Sequence, residues 1–224
     1  MKRSQINTII EDSIKFIEDC KFHIPPFAEW TVEEWKTKGS EYDDIRNNGL
    51  GWDVSDYGFG NFHKLGIVAL TIRSAHQKIF SKYEKPFAEK LLCLEQGQEL
   101  PLHLHPQKVE DLINRGGSDF FIKLYKANPD NSISDDFVDV LMDGRKLTIK
   151  AGEILRVRVG ESITLLPNHY HTFWVESGKT LFGEVTMTNN EHYFYEKSPT
   201  STVIEEDCLP VYHLFNEYPQ WVSS

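Results

Sequence analysis

Residues 97–117 read GQELPLHLHPQKVEDLINRGG, and this stretch carries more chemistry per residue than any other part of the chain. Two histidines, a lysine and a glutamate fall within His103–Glu110. Side chains alternate faces along a strand, so His103 and His105 project to one side. Pro106 interrupts the strand and Gln107 completes a tight turn. Lys108-Val-Glu-Asp-Leu then restarts the alternation, placing Lys108 and Glu110 on a common face toward the histidines. Two imidazoles and a carboxylate converging on one point make a coordination shell for a divalent metal.

The flanking sequence predicts a mainly β protein. Strand patterns fall at Ile67–Arg73, Phe87–Leu94, Leu100–His105, Phe120–Tyr125, Val138–Met142 and Lys146–Ile149, the last two flanking a hairpin turn at Asp143-Gly144. Four more follow at Ile154–Val159, Ser162–Leu166, Thr172–Glu176 and Leu181–Met187. Such spacing, with turn residues between, is that of a sandwich or barrel. An amphipathic helix is expected over residues 4–21, capped by Ser4, with Ile6, Ile9, Ile10, Ile14 and Ile17 on its apolar face, and a short helix follows Thr31. Residues 41–66 are rich in Gly, Asp and Asn and read as a long ordered loop anchored by Trp52, Tyr57, Phe59 and Phe62. The tail 203–218 is expected to cross back over the body.

The chain of 224 residues, 40% hydrophobic and 26% charged, is organised as one domain over 1–224, with a helical extension at 1–40 and a barrel core at 85–190. A net charge of -10 argues against nucleic acid or an anionic membrane as partner. No run approaches the roughly 18 to 20 apolar residues of a membrane span, and the N-terminus lacks the apolar core of a signal peptide. Cys20, Cys93 and Cys208 form no CxxC pair and fit reduced thiols in a cytoplasmic protein.

The frame Gly97-x5-His103-x-His105-x4-Glu110-x6-Gly117 resembles the first motif of the cupin family at each of its positions, and Gly160-ESITLL-Pro167-NHY-His171 is similar to the second. The second motif lacks the usual glycine between proline and histidine and is one residue short there. The resemblance implies a double-stranded β-helix, or jelly-roll, barrel with a metal held by His103, His105, Glu110 and His171. His169 competes for the fourth place; His171 is preferred because it opens the strand HTFWV. Three imidazoles and a carboxylate suit Mn²⁺, Fe²⁺, Co²⁺, Ni²⁺ or Zn²⁺.

Lys108, between two ligands, is a candidate to hold a substrate oxygen or move a proton. Glu184, an acid among apolar strand neighbours, and Glu206, in the acidic run of the tail, are further acid–base candidates. Longer blocks point to a subfamily. GLGWDVSDYGFGNF (49–62), EKLLCLEQGQELPLHLHPQKVEDLINRGG (89–117), LTIKAGEILRVRVGESITLLPNHYHTFW (147–174), GEVTMTNNE (183–191) and IEEDCLPVYHLFNEY (204–218) resemble the D-lyxose isomerase family of cupins. That resemblance implies a metal-dependent aldose–ketose isomerase of free sugars, a homodimer favouring Mn²⁺, interconverting D-lyxose with D-xylulose and D-mannose with D-fructose. It places the family's lysine between the ligands on Lys108; Lys108, Glu184 and Glu191 are the candidates for sugar contacts. Where the family carries Asn-Asp-Asp after the GEV strand, this chain has Asn189-Asn190-Glu191. The same ligand set also serves Fe(II)-dependent cupin dioxygenases, and a sugar-binding cupin without catalysis would keep the barrel.

Overall fold

The computed structural model describes residues 1–74, 85–187 and 194–219. Three helices precede the barrel: α1 (Arg3–Asp19), α2 (Val32–Trp35) and α3 (Asp43–Asn47). Thirteen strands follow: β1 (Gly51–Ser55), β2 (Ile67–Arg73), β3 (Phe87–Glu95), β4 (His103–Leu104), β5 (Glu110–Gly117), β6 (Phe120–Lys126), β7 (Val138–Met142), β8 (Arg145–Ile149), β9 (Ile154–Val157), β10 (Ser162–Leu165), β11 (His169–Val175), β12 (Lys179–Met187) and β13 (Phe194–Tyr195). They form an eight-stranded sheet, β1-β2-β3-β12-β5-β10-β7-β8, facing a five-stranded sheet, β13-β4-β11-β6-β9. The pairings between these named strands are antiparallel. This is the mainly β, double-stranded β-helix barrel expected from the sequence, with its N-terminal helical segment.

Alternation sorts the side chains of β1–β3 and β12 into two cores. Inward residues Leu92, Leu94 and Phe182 meet Ile122, Leu124 and Phe173 of the opposite sheet. Phe120, Phe173 and Phe182 pack there as tilted rings with centroids 4.6–6.1 Å apart. Outward residues Val68, Leu70, Leu91, Cys93 and Leu181 receive Ile6, Ile10 and Ile17 of α1. These three isoleucines are fully buried, each contributing about 1.5–3 kcal/mol. Helical spacing of apolar residues and the two-residue period of the strands thus meet along one seam.

Three local expectations are corrected. Helix α1 starts at Arg3, with Lys2 as its N-cap. Ser4 is therefore inside the helix, where its backbone N–H and hydroxyl both donate to Asp207, at 2.9 and 2.7 Å. The tail, not Ser4, completes this end of the helix. The strand expected over Leu100–His105 shrinks to His103–Leu104, because Pro101 and Pro106 bring no N–H to a ladder. The glycine-rich loop contains a regular strand, β1, paired with β2 from Gly51↔Thr71 to Ser55↔Ile67. Trp52 anchors it, 2% exposed, donating Nε1–H to the carbonyl of Ala28 at 2.7 Å. Gly51 has φ +124°, and a Cβ there would collide with the Tyr218 hydroxyl, so glycine is required where β1 begins.

The tail does cross the body. It bridges Lys2↔Glu205, Thr31↔Tyr212 and Trp52↔Leu214. No described helix is long and apolar enough to cross a membrane.

Candidate active site

The two sheets place four buried polar side chains around one point. β4 contributes His103, His105 follows it directly, Glu110 opens β5, and His171 lies on β11. His171 is the cross-strand partner of His103, and their rings are 4.3 Å apart between centroids. One ring nitrogen from each of His103, His105 and His171 lies within 4.8 Å of the other two. Glu110 Oε1 is 3.4 Å from His105 Nε2 and 3.5 Å from His171 Nε2.

Backbone carbonyls orient two of the imidazoles. His103 Nδ1 lies 2.8 Å from the carbonyl oxygen of Pro101, and His171 Nδ1 lies 3.1 Å from that of His169. A carbonyl only accepts, so both Nδ1 atoms carry hydrogen and both Nε2 atoms present lone pairs. Burial, then the neighbouring imidazoles, holds His103 well below the usual histidine range. Burial is also the main reason His171 is pushed down to about 4, against the opposing pull of Glu110. Burial would raise the Glu110 carboxyl, but the His105 hydrogen bond and the charges of Lys108, His105 and His171 outweigh it and hold the group well below the usual carboxylate range. Neutral imidazoles beside an ionised carboxylate are the donors a divalent cation takes. The Nε2 atom of His171 is buried and makes no hydrogen bond, an arrangement a metal would relieve.

A second polar cluster adjoins the first. Lys108 Nζ is 2.7 Å from Glu110 Oε2 and 3.6 Å from Glu184 Oε1. Lys90 Nζ is 3.1 Å from the same Glu184 oxygen, because Glu184 and Lys90 face each other across β12 and β3. Charges therefore alternate from Glu110 through Lys108 and Glu184 to Lys90. The Tyr195 ring stacks on His103 at 5.4 Å. These residues line one cavity of about 760 Å³.

A family model described as D-lyxose isomerase matches residues 1–218. The chain belongs to the D-lyxose isomerase family. Full-length relatives agree. A D-lyxose/D-mannose isomerase of Escherichia coli O157:H7 is 35% identical over 227 residues, covering 99% of this chain and 100% of that protein. Its counterpart in Serratia proteamaculans is 34% identical over 229 residues, covering both chains completely. Among solved structures, Cellulomonas parahominis L-ribose isomerase superposes with a TM-score of 0.60 at 13% identity, covering 92% of this chain and 98% of that one. Acinetobacter sp. DL28 L-ribose isomerase, solved with L-ribose, gives 0.51 at 13% identity, covering 85% and 83%. At such identity the structural likeness concerns the fold.

Within this D-lyxose isomerase fold, six of the eight residues singled out from sequence come together: His103, His105, Lys108, Glu110, His171 and Glu184. Glu206 does not. It accepts from Arg3 Nε at 2.9 Å and Nη2 at 2.6 Å and does not line the cavity. Glu191 lies outside the described residues. His169 shares the parity of His171, but its Nδ1 turns to the carbonyls of Leu166 and Pro167 and it stays out of the histidine cluster. The glycine absent from the second motif is replaced in effect by Asn168, which takes φ +59° and donates its N–H to His105 O at 2.8 Å. Lys90 and Tyr195 were missed. For Lys90 a signal existed, since it shares parity with the inward Leu92 and Leu94.

Proposed function

We propose that the protein is a metal-dependent isomerase of free aldoses, interconverting D-lyxose with D-xylulose and D-mannose with D-fructose by proton transfer through an enediol. The carrying observation is Glu184, a carboxylate held between Lys90 and Lys108 beside the histidine cluster. Aldose–ketose exchange needs a base that takes a proton from C2 and returns it to C1, and a group that transfers the hydroxyl proton from O2 to O1.

Glu184 fits the first role. Its carboxylate lies within 3.6 Å of two ammonium groups and lines the cavity beside the histidine cluster. Lys108 fits the second. Its Nζ donates toward both Glu110 and Glu184 and can pass a proton to a sugar oxygen placed between them. Lys108 and Glu184 are 3% and 8% exposed, so bulk water competes little for that proton. His103, His105, Glu110 and His171 would hold the metal, Mn²⁺ in the first instance, with Fe²⁺, Co²⁺, Ni²⁺ or Zn²⁺ compatible with the same donors. Bound there, a divalent ion supplies Lewis-acid stabilisation of charge on the sugar oxygens.

The names of the sequence relatives support the sugar assignment, and Glu184→Gln tests the mechanism. Its kcat on D-lyxose should fall by about 10²–10⁴-fold while bound metal stays at the wild-type level. A kcat within threefold of wild type would remove Glu184 as the base.

A further inference from the structure

The segment after β13 ties the edge of one sheet to the edge of the other. β13 is the end strand of the five-stranded sheet and β1 that of the eight-stranded one. Tyr195 pairs with His103 across β13 and β4, and Glu196 N–H donates to Leu102 O at 3.1 Å. Lys197 Nζ then lies 4.7 Å over the Phe59 ring, and Thr200 N–H donates to Tyr57 O at 2.9 Å, just beyond the end of β1. Thr202 completes the connection. Its hydroxyl accepts from Asp56 N–H at 2.9 Å and donates to Asp56 Oδ1 at 2.8 Å, and that oxygen also accepts Gly58 N–H at 3.0 Å. Asp56 is 3% exposed, so water does not readily replace the threonine hydroxyl there.

This clasp holds a turn that local sequence does not favour. Phe59 N–H donates to Asp56 O at 2.9 Å, closing a turn whose central residues, Tyr57 and Gly58, have φ +54° and +74°. Asn, Asp or Gly is the usual first central residue of such a turn. A tyrosine there is strained, and strain of this kind persists where surrounding contacts over-determine the backbone. Tyr57 lines the cavity, as does Tyr195 from the other end of the segment. Tyr195, His103 and His171 stand in one cross-strand row. His103 therefore has the His171 ring on one side, 4.3 Å away, and the Tyr195 ring on the other, 5.4 Å away. Because β4 is two residues long, its place depends on the strands at both sides, and β13 is one of them.

We infer that Thr202 and Asp56 are positioning residues for the metal site, acting through Tyr195. The clasp fixes the far end of segment 195–202, and the fixed segment keeps the Tyr195 ring against His103. The inference rests on the metal-dependent reading, in which His103 is a ligand, and adds a support for that ligand built from outside the cavity. Groups that orient a metal-binding imidazole contribute about 10–100-fold to metal affinity. A tail residue that touches neither metal nor sugar thus tunes the site.

The test is nuclear magnetic resonance of the full chain with ring-labelled histidine, followed by Co²⁺ titration read by visible absorption. In metal-stripped protein the His103 ring resonance, assigned with His103→Asn, reports the ring current of Tyr195. Tyr195→Leu should move it, and Thr202→Val should move it in the same direction. Thr202→Ser, which keeps the hydroxyl, should leave it at the wild-type position. Co²⁺ should bind about tenfold more weakly to Thr202→Val and about 10–100-fold more weakly to Tyr195→Leu. The double variant should match Tyr195→Leu within about twofold, because both changes act on one contact. At saturating metal, kcat of Thr202→Val on D-lyxose should stay within about threefold of wild type. Ser4→Ala loosens the tail at Asp207 instead and should leave both the resonance and the Co²⁺ affinity unchanged. A His103 resonance that stays in place in either Tyr195→Leu or Thr202→Val would overturn the inference. So would losses of affinity that multiply in the double variant, or a Ser4→Ala effect equal to that of Thr202→Val. Resonance shifts as expected, in a wild-type protein that takes up no Co²⁺, would support the clasp and remove the metal-dependent reading instead.

Discussion

His171 stands directly across the β4–β11 pair from His103, with the two rings 4.3 Å apart. The two residues are 68 positions apart in sequence, and strand register alone brings them together. Because each ring is turned by a backbone carbonyl, removing one imidazole leaves the others in place. His103→Ala and His171→Ala should therefore fold yet lose most bound metal, measured by elemental analysis after dialysis, and lose isomerase activity with it. Wild-type metal content in either variant would break the assignment of the ligands.

Lys108 tests a different function of the same cluster. It touches Glu110 and Glu184 at once, and it is not among the three histidines that cluster. Lys108→Ala should retain the metal and lower kcat by about 10²–10⁴-fold. An unchanged rate would reduce Lys108 to a neutralising partner of Glu110.

Glu206 should behave as a structural residue. It and Glu217 share the buried Arg3 guanidinium, joining the first helix to the tail. Glu206→Gln is expected to lower the melting temperature and leave kcat and KM for D-lyxose within twofold of wild type. A large loss of kcat at full stability would assign Glu206 to the chemistry instead.

Cys93 provides a pH-dependent probe of the seam between α1 and the barrel. Burial pushes its thiol up to about 12, above the ordinary value near 8.5. The folded protein thus holds this proton where the unfolded chain releases it. The stability contributed is complete below about pH 8.5 and declines as pH rises toward 12. Iodoacetamide at pH 8.5 should label the exposed Cys208 and spare Cys93 until the protein unfolds. Mass spectrometry of native and denatured samples reads the difference, and rapid native labelling of Cys93 would show that α1 does not seal this core.

Much of the barrel was legible because its strands alternate strictly and end in turn residues. Val138–Met142 was read with both of its observed ends, and the hairpin at Asp143-Gly144 follows from turn chemistry alone. The histidines and Glu110 were legible because a two-residue period decides which side chains share a face. β1 was not, because GLGWDVSDYGFG has the composition of a loop, and the pairing that makes it a strand comes from β2 and from Tyr218 packing over Gly51. Nor could composition separate Glu184 from Glu206. Both are acids near the end of the chain, and what separates them is Lys90 on a neighbouring strand and Arg3 at the far end of the sequence. Such partners are set by topology, which one chain's local pattern does not contain.

The proposed isomerisation of a free sugar requires a divalent metal, which His103, His105, Glu110 and His171 would hold. The most direct measurement is conversion of D-lyxose to D-xylulose by chelator-stripped protein, before and after each of Mn²⁺, Fe²⁺, Co²⁺, Ni²⁺ and Zn²⁺ is restored. Negligible turnover is expected in the stripped protein, and recovery with one or more of these ions, Mn²⁺ among them. Full activity in protein shown to be free of metal would contradict it.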